Sequence, residues 1–191
     1  MAAVNVNISL QFRIATPDDA ERIQQLVQSA FRTIDSRVGW TGDEELASNF
    51  RLEVRDVLAN IAKPNLVTMI AVDKNDAPVA TIEVAHRDNS IGRISSFAVD
   101  DHYQRGGVGR QVLAYAEDYC RRTWNVEKFS LNALSSRKAL LEWYMRRGYQ
   151  KTGETSPFPR EKFSNLVLPE DLCFVELEKN FSEVANGDQS A

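Results

Sequence analysis

The chain has 191 residues, 43% of them hydrophobic and 26% charged, which suits a single soluble domain with one packed core. A formal net charge of -4 gives no overall attraction to nucleic acid or to an anionic membrane, so we expect neither as a partner. No stretch approaches the roughly 18 apolar residues that span a bilayer, and the N-terminus lacks the features of a signal peptide. These properties predict a cytoplasmic protein, with the nucleus as a second location.

The two cysteines, Cys120 and Cys173, lie far apart in otherwise apolar stretches. They show no metal-ligand spacing, so we expect no metal cofactor. Both are predicted to be reduced, buried thiols.

The first half of the chain predicts a short strand, two helices and three further strands. Pro17 fits the first turn of a helix that apolar spacing extends to Thr33. A second helix presents one apolar face from Leu46 to Ile61 and ends before Pro64. The predicted strands cover 11–15, 66–72, 78–86 and 91–99, with a hairpin turn at 73–76.

The second half predicts two helices and three strands. The helices cover 106–123 and 137–147, and the strands cover 128–134, 149–152 and 172–177, with an irregular loop at 153–169. This order of elements predicts one α/β domain with a mixed sheet of about seven strands and about four helices. We place the domain at 10–181, a flexible N-terminal arm at 1–9 and a disordered tail at 182–191.

A glycine-rich segment between a predicted strand and a predicted helix carries the clearest chemistry. The sequence Gln104-Arg105-Gly106-Gly107-Val108-Gly109-Arg110 runs directly into the helix. Glycines let the backbone approach a ligand, and the unpaired amides and dipole of the first helical turn favour an anion. The segment therefore predicts a phosphate site, with a tight turn as the simpler alternative.

Two common phosphate motifs are excluded. The chain has no Gly-x4-Gly-Lys-Ser/Thr sequence, which rules out a P-loop nucleotidase, and the Gly-x-Gly-x-x-Gly spacing of a dinucleotide site is also absent.

The segment from Gln104 to Gly109 resembles the Arg/Gln-x-x-Gly-x-Gly/Ala signature of the GNAT superfamily of N-acetyltransferases. The order of elements and the downstream sequence Trp143-Tyr144-Met145-Arg146-Arg147-Gly148-Tyr149 are also similar to that family, over about residues 12–181. The stretch 149–159 resembles a branch of small microbial members. One departure is visible, because 135–139 lacks the family's Asn-x-x-Ala.

The resemblance implies a sheet splayed between its fourth and fifth strands, with acetyl-coenzyme A bound in the gap as cosubstrate. The pantetheine arm would pair with the backbone of the fourth strand, and the phosphates would meet the glycine-rich segment. The implied cofactor-binding residues are Phe97, Ala98, Val99, Gln104, Arg105, Gly106, Gly107, Val108, Gly109, Arg110, Asn132, Ser136, Arg137 and Tyr144.

The resemblance also implies that an amine attacks the thioester directly in a ternary complex. Tyr144 would be the general acid, and the backbone amide of Val99 would donate to the oxyanion. Helical spacing alone instead favours Tyr144 as a core aromatic. Glu83, an acid in a central strand, is the candidate general base, with a solvent-facing strand position as its alternative.

We expect the acceptor site to be formed by the loops 37–45 and 153–163. Aromatic and acidic side chains there would suit a cationic amine, whereas a solvated loop is the simpler alternative. The candidate residues are Trp40, Glu44, Glu45, Phe158 and Arg160.

The leading hypothesis is an N-acetyltransferase that acts on a primary amine of a small molecule or peptide, as a monomer or homodimer. The alternative is a sensor or interaction module that binds acyl-CoA with little catalysis, because a fold does not fix a function. A nucleic-acid module is disfavoured, since the chain has no wider basic stripe.

Overall fold

A computed structural model describes residues 9–34, 37–88, 90–104 and 106–181. Residues 1–8 of the predicted arm at 1–9, Arg105 and the predicted tail at 182–191 lie outside these residues. Among the described residues there are five α-helices, α1 (Ala20–Arg32), α2 (Glu44–Ser48), α3 (Val54–Ile61), α4 (Val108–Trp124) and α5 (Lys138–Met145). None of the helices in these ranges is long and apolar enough to cross a membrane.

Within the described ranges, seven strands form one mixed sheet, in agreement with the prediction of about seven. The order is β1-β2-β3-β4-β5-β7-β6, so the last strand of the chain inserts between β5 and β6. The strands are β1 (Gln11–Ile14), β2 (Leu66–Val72), β3 (Pro78–Arg87), β4 (Ile91–Val99), β5 (Lys128–Leu134), β6 (Gln150–Pro157) and β7 (Cys173–Asn180).

The sheet opens between β4 and β5, its single parallel pair. Their register runs only from Ile91 opposite Lys128 to Arg93 opposite Ser130. Beyond that point β4 carries a bulge opposite β3, where Ser96 has a positive φ of 45°. Because a bulge bends its strand, β4 turns away from β5, and the gap predicted between the fourth and fifth strands is confirmed.

The two faces of the sheet are covered by different helices. On one face α1 and α3 pack on β2 and β4 through a buried cluster that includes Ile23, Val57 and Ala98. On the other face α4 packs through Val112 and Ala116. A cleft that passes through the gap therefore has α1 at one end and α4 at the other.

The prediction of one continuous second helix is wrong. The chain instead leaves helical geometry after α2 and restarts at α3, whose first turn is closed by Glu53 and Asp56. Side chains of α1 stabilise the break: Gln24 donates to the Leu52 carbonyl, and Gln28 accepts from the Leu52 amide. Phe50 also stacks on Phe31 of α1, with ring centroids 4.7 Å apart. These contacts replace the helical hydrogen bonds that the sequence pattern anticipated.

The predicted loop at 153–169 is partly wrong, because β6 continues to Pro157. Gly153, with φ of 90°, sits at an irregularity in the β6–β7 register, and pairing resumes at Thr155 opposite Val175. A short 3-10 helix at Arg160–Phe163 follows within the remaining loop.

Candidate active site

A cavity of about 530 Å³ fills the gap between β4 and β5. Its walls are the separated parts of the two strands, from Ile94 to Val99 and from Leu131 to Leu134. At one end it reaches Gly107, Gly109 and Arg110 at the start of α4, and at the other end it reaches Ala30 and Phe31 of α1 together with Trp40 and Phe174. The gap in the sheet thus connects a helix N-terminus to an aromatic pocket on the opposite face.

The start of α4 has the backbone geometry of an anion site. Gly107 is the residue that precedes the helix, its φ is 80°, and a side chain there would meet nothing within 4 Å. Gly109 is different, since a Cβ would lie 3.3 Å from the Trp143 ring. Both glycines line the cavity, where the first amides of α4 are free of intrahelical partners.

The loop before α4 is fastened to the end of β4 by a side chain. Gln104 donates from Nε2 to the Val99 carbonyl at 3.2 Å and accepts at Oε1 from Arg37 at 2.8 Å. This bridge holds the loop at 37–40 against the glycine-rich segment, so the two loops close one wall of the cavity together.

The amide of Val99 is directed into the gap. Asp100 donates its backbone N–H to Val79 of β3 at 2.9 Å. Because successive amides of a strand point in opposite directions, the Val99 N–H points away from β3, and the Ala98 amide points toward β3. The Val99 amide therefore has the direction that an oxyanion donor in the gap requires.

Tyr144 lines the cavity from α5 and is only 6% exposed. Burial raises the pKa of its phenol to about 12, and the nearby guanidinium groups of Arg137 and Arg147 act against that rise. The phenol therefore carries its proton at neutral pH. A protonated hydroxyl that lines the cavity can act as a proton donor.

Four arginines supply all the charged side chains that line the cavity within the described residues: Arg37, Arg110, Arg137 and Arg147. Arg147 stacks on Trp143, with its Cζ 3.5 Å from the ring centroid, and donates to the Trp143 carbonyl at 2.7 Å. Its Nε is buried without a hydrogen-bond partner among the described residues. Burial, together with the positive charges of Arg146 and Arg110, lowers the pKa of Arg147. Arg147 is therefore a second cation, beside Arg110, near the start of α4.

Glu83 is buried, at 6% exposure, but it does not line the cavity. It lies on the α3 side of the sheet, where Asn60 donates to its Oε1 at 2.9 Å. Ser95 donates to its Oε2 at 3.4 Å, and Ser95 does line the cavity. The alternative of a solvent-facing position for Glu83 is therefore wrong, because Asn60 and Ser95 enclose the carboxylate within the protein.

The structure brings together most of the cofactor-binding residues that the sequence nominated. Gly106, Val108 and Ser136 do not line the cavity: Val108 is a buried core residue, and the Ser136 hydroxyl packs toward Gly42. Arg105 lies outside the described residues. Those that line it are Phe97, Ala98, Val99, Gln104, Gly107, Gly109, Arg110, Asn132, Arg137 and Tyr144.

Of the five residues nominated for the acceptor site, only Trp40 lines the cavity. Glu44 and Glu45 lie in the first turn of α2 and outside the lining. Phe158 is buried against Phe163 and Phe174, and exposed Arg160 donates to the carbonyls of Pro169 and Glu170. The prediction of an acidic acceptor site is therefore not reproduced among the lining residues.

Several lining residues were not anticipated, chiefly Phe31, Arg37, Ser95 and Arg147. Arg147 follows Trp143 by four residues, the helical spacing at which a cation and an aromatic ring meet, so its placement was readable from the sequence. Phe31 and Ser95 line the cavity only because β4 and β5 separate. No local sequence pattern indicates that separation.

The sequence matches the model of the acetyltransferase (GNAT) family over residues 23–149. No curated protein matches the sequence.

Solved structures of acetyltransferases share the fold at low sequence identity. The ribosomal-protein-S18-alanine N-acetyltransferase from Escherichia coli superposes with a TM-score of 0.67 at 15% identity, covering 95% of this chain and 100% of that one. A putative phosphinothricin N-acetyltransferase gives 0.65 at 19% identity over 92% and 100% of the two chains. A putative streptothricin acetyltransferase from Bacillus anthracis, solved with acetyl coenzyme A, gives 0.63 at 17% identity over 92% and 100%.

Proposed function

The chain belongs to the acetyltransferase (GNAT) family, and on that premise we propose that it transfers the acetyl group of acetyl-coenzyme A to a primary amine by direct attack in a ternary complex. The amine would belong to a small molecule or a peptide. One observation carries the proposal. Gly107 and Gly109 at the start of α4, here called the glycine cradle, line the same cavity as the buried phenol of Tyr144. An anion site alone would explain binding, whereas a protonated phenol in the same cavity supports transfer.

The residues at the α4 end fit coenzyme A. Gly107 and Gly109 leave the first helical amides accessible to a pyrophosphate, and Arg110 and Arg147 add two guanidinium groups beside them. The unpaired Nε of Arg147 is a buried donor that a phosphate oxygen would satisfy. The separated backbones of β4 and β5 would hold the pantetheine arm as an added strand.

The cavity offers a candidate group for each of these catalytic roles. Acetyl-coenzyme A supplies an activated acyl group as a thioester. The Val99 N–H would donate to the carbonyl oxygen as negative charge develops there. Tyr144, which carries its proton at neutral pH because its pKa is raised to about 12, would give that proton to the sulfur of the departing thiolate.

We propose Glu83 as the group that receives the proton from the amine, through the hydroxyl of Ser95. The carboxylate lies behind the cavity wall, so it would act on the amine indirectly. Such a relay needs a hydroxyl that both donates and accepts, which serine provides.

A broad acceptor screen with detection of released thiol tests the proposal. The panel should include amino acids, polyamines, aminoglycosides, aryl amines and peptide N-termini, because the structural relatives differ in the amines that they are named for. Acetyl transfer to at least one amine, verified by the mass of the product, is the expected result. Binding of acetyl-coenzyme A with no transfer to any amine would contradict it and favour a sensor.

A further inference from the structure

The charges that line the cavity are unsuited to a polycationic acceptor. All four charged lining residues are arginines, and no aspartate or glutamate of the described ranges contributes to the lining. Two carboxylates beside the walls are already engaged, buried Glu83 by Asn60 and partly buried Glu176 by Arg93 and Asn132. A ligand with several positive charges would therefore meet like charge from every charged side chain that the described ranges contribute to the lining.

The α1 end of the cavity contains the guanidinium of Arg137. Its Nε donates to the Trp40 carbonyl at 2.8 Å, and its Cζ lies 5.8 Å from the centroid of the Phe31 ring. No carboxylate among the described residues pairs with this guanidinium. One edge of the group is thus fixed by a backbone contact, and the terminal nitrogens are left for a ligand.

A partly buried guanidinium without an anion is costly. Burial and the positive charge of Arg37 lower the pKa of Arg137, yet an arginine stays protonated. Desolvation of a charge is compensated only by a counter-ion or by hydrogen bonds that satisfy its donors. An acceptor that carries a carboxylate would supply both, since the planar fork of arginine matches a carboxylate through two parallel hydrogen bonds.

The phosphates of coenzyme A are not placed to serve as the anion for Arg137. The cradle that fits them is at the start of α4, where Arg110 and Arg147 also lie, whereas Arg137 contacts the loop at Trp40 and the α1 helix at Phe31. Pantetheine, which would occupy the gap between the two ends, is uncharged. The anion that Arg137 would bind is therefore on the other substrate.

We infer that the acceptor is an amine that also carries a carboxylate, with Arg137 as the carboxylate-binding residue and the rings of Phe31, Trp40 and Phe174 around the rest of the molecule. This inference rests on the proposed function and narrows it to amino acids and related amino carboxylates. The cavity of about 530 Å³ would be shared with the pantetheine arm, and the remaining space suits an acceptor of the size of an amino acid.

Matched acceptors test the inference directly. Each L-amino acid with an aromatic or branched apolar side chain is compared with its carboxamide, which keeps the amine and the side chain but removes the charge. We expect kcat/KM to favour at least one acid over its amide by about ten- to a hundredfold, the range of a charge-assisted hydrogen-bonded pair.

Arginine variants then assign the preference to a residue. R137M should reduce the acid-to-amide ratio of kcat/KM by about ten- to a hundredfold, and R137K should leave an intermediate ratio because it keeps the charge without the fork. A general loss of activity would lower kcat/KM equally for the acid and the amide, so it would not change their ratio. R160M is the matched control, because exposed Arg160 lies outside the cavity lining, and its ratio should equal that of the unaltered protein.

The outcomes separate this inference from the proposed function. Transfer to polyamines or amides with no preference for any acid, or an acid preference that R137M leaves unchanged, would overturn the inference while acetyl transfer stands. If no amine is acetylated at all, the proposed function fails. Calorimetric binding of the acids and amides to the CoA-loaded protein then still tests the inference, and equal affinities would overturn it.

Discussion

Tyr144 and Tyr149 lie edge to face, with ring centroids 5.7 Å apart, and only Tyr144 lines the cavity. The Tyr149 hydroxyl instead donates to Glu117 Oε1 at 2.8 Å, and Lys179 donates to the other oxygen at 2.6 Å. Two neighbouring buried phenols thus have different surroundings. One is held by a structural carboxylate, and the other faces the space where the chemistry is proposed.

Replacing Tyr144 by phenylalanine removes the proposed proton donor and keeps the ring. We expect Y144F to lower kcat by about a hundredfold or more, the usual contribution of a general acid, with little change in the dissociation constant of acetyl-coenzyme A. Single-turnover rates and equilibrium binding measure the two effects separately. Unchanged turnover would remove Tyr144 from the mechanism.

Tyr149→Phe is the matched control for the loss of a buried hydroxyl. It leaves one oxygen of Glu117 without its partner, so we expect a loss of about 1–3 kcal/mol in the free energy of unfolding. Turnover at a temperature where the variant is folded should be close to that of the unaltered protein. A larger effect of Y149F than of Y144F on kcat would reverse the roles given to the two phenols.

The glycine cradle is tested by a second matched pair. Gly107 and Gly153 have φ values of 80° and 90°, and a side chain at either position would meet nothing within 4 Å. Alanine should therefore cost each position a similar amount of backbone strain, about 1–2 kcal/mol. Only Gly107 lines the cavity, so G107A alone should raise the KM for acetyl-coenzyme A.

Denaturant unfolding and acetyl-coenzyme A titrations of both glycine variants provide the readouts. Similar losses of stability combined with a change of KM in G107A only would support the cradle. An equal rise of KM in G153A would mean that strain in the sheet, and not the geometry at α4, alters binding.

The proposed relay predicts that Glu83→Gln lowers kcat by at least about tenfold, because glutamine cannot take up a proton. Its side chain can still accept from Asn60. T68V is a suitable control: Thr68 lies opposite Glu83 in the β2–β3 register, and its hydroxyl is buried without a partner. We expect T68V to keep its activity and to be equally or more stable.

A pH profile of kcat/KM separates the relay from simple packing. Removal of the group that receives the proton should change the profile in E83Q, whereas T68V should reproduce the profile of the unaltered protein. Identical profiles for all three proteins would exclude Glu83 as the proton acceptor.

Local patterns predicted the elements of this fold well, because periodicity and turn chemistry are properties of neighbouring residues. They failed where side chains from a distant element replaced local hydrogen bonds. The break between α2 and α3 depends on Gln24 and Gln28 of α1, and the continuation of β6 past Gly153 depends on pairing with β7. Neither partner is visible in a window of the sequence.

The candidate site was likewise predicted where it depends on neighbouring residues and missed where it depends on distant ones. The glycine cradle and Tyr144 lie in contiguous motifs, so the sequence nominated both, and the fold places Gly107, Gly109 and Tyr144 on the cavity lining. The acceptor end is assembled from α1 and the loop at Trp40, which are near each other in the chain, and from Arg137, the residue before α5, which follows Trp40 by 97 positions. Loop composition therefore suggested acids at Glu44 and Glu45, whereas the fold brings Arg137 to the cavity instead.

Asp19 provides a test of the fold that is independent of the active site. It is 3% exposed, and Arg13 donates to both of its oxygens, at 2.6 and 2.8 Å. The side-chain hydrogen bonds from Arg13, together with the Thr16 amide, lower the pKa of Asp19 from 3.8 to about 2. Since the folded protein holds this carboxylate ionised more strongly than the unfolded chain does, the stabilisation is complete above pH 4 and is lost as the pH falls through 2.

Asp19→Asn removes this ionisation and therefore isolates its contribution. A change in pKa from 3.8 to about 2, at about 1.4 kcal/mol per unit, corresponds to about 2 kcal/mol. We expect D19N to be less stable than the unaltered protein by about that amount at pH 7, and the difference to shrink toward zero near pH 2. Urea unfolding of both proteins across this pH range measures the difference in their free energies of unfolding. Other groups that titrate in acid contribute equally to both proteins, so their contributions cancel in this difference. A difference that stays constant from pH 7 to pH 2 would show that the stabilisation by Asp19 does not depend on its charge.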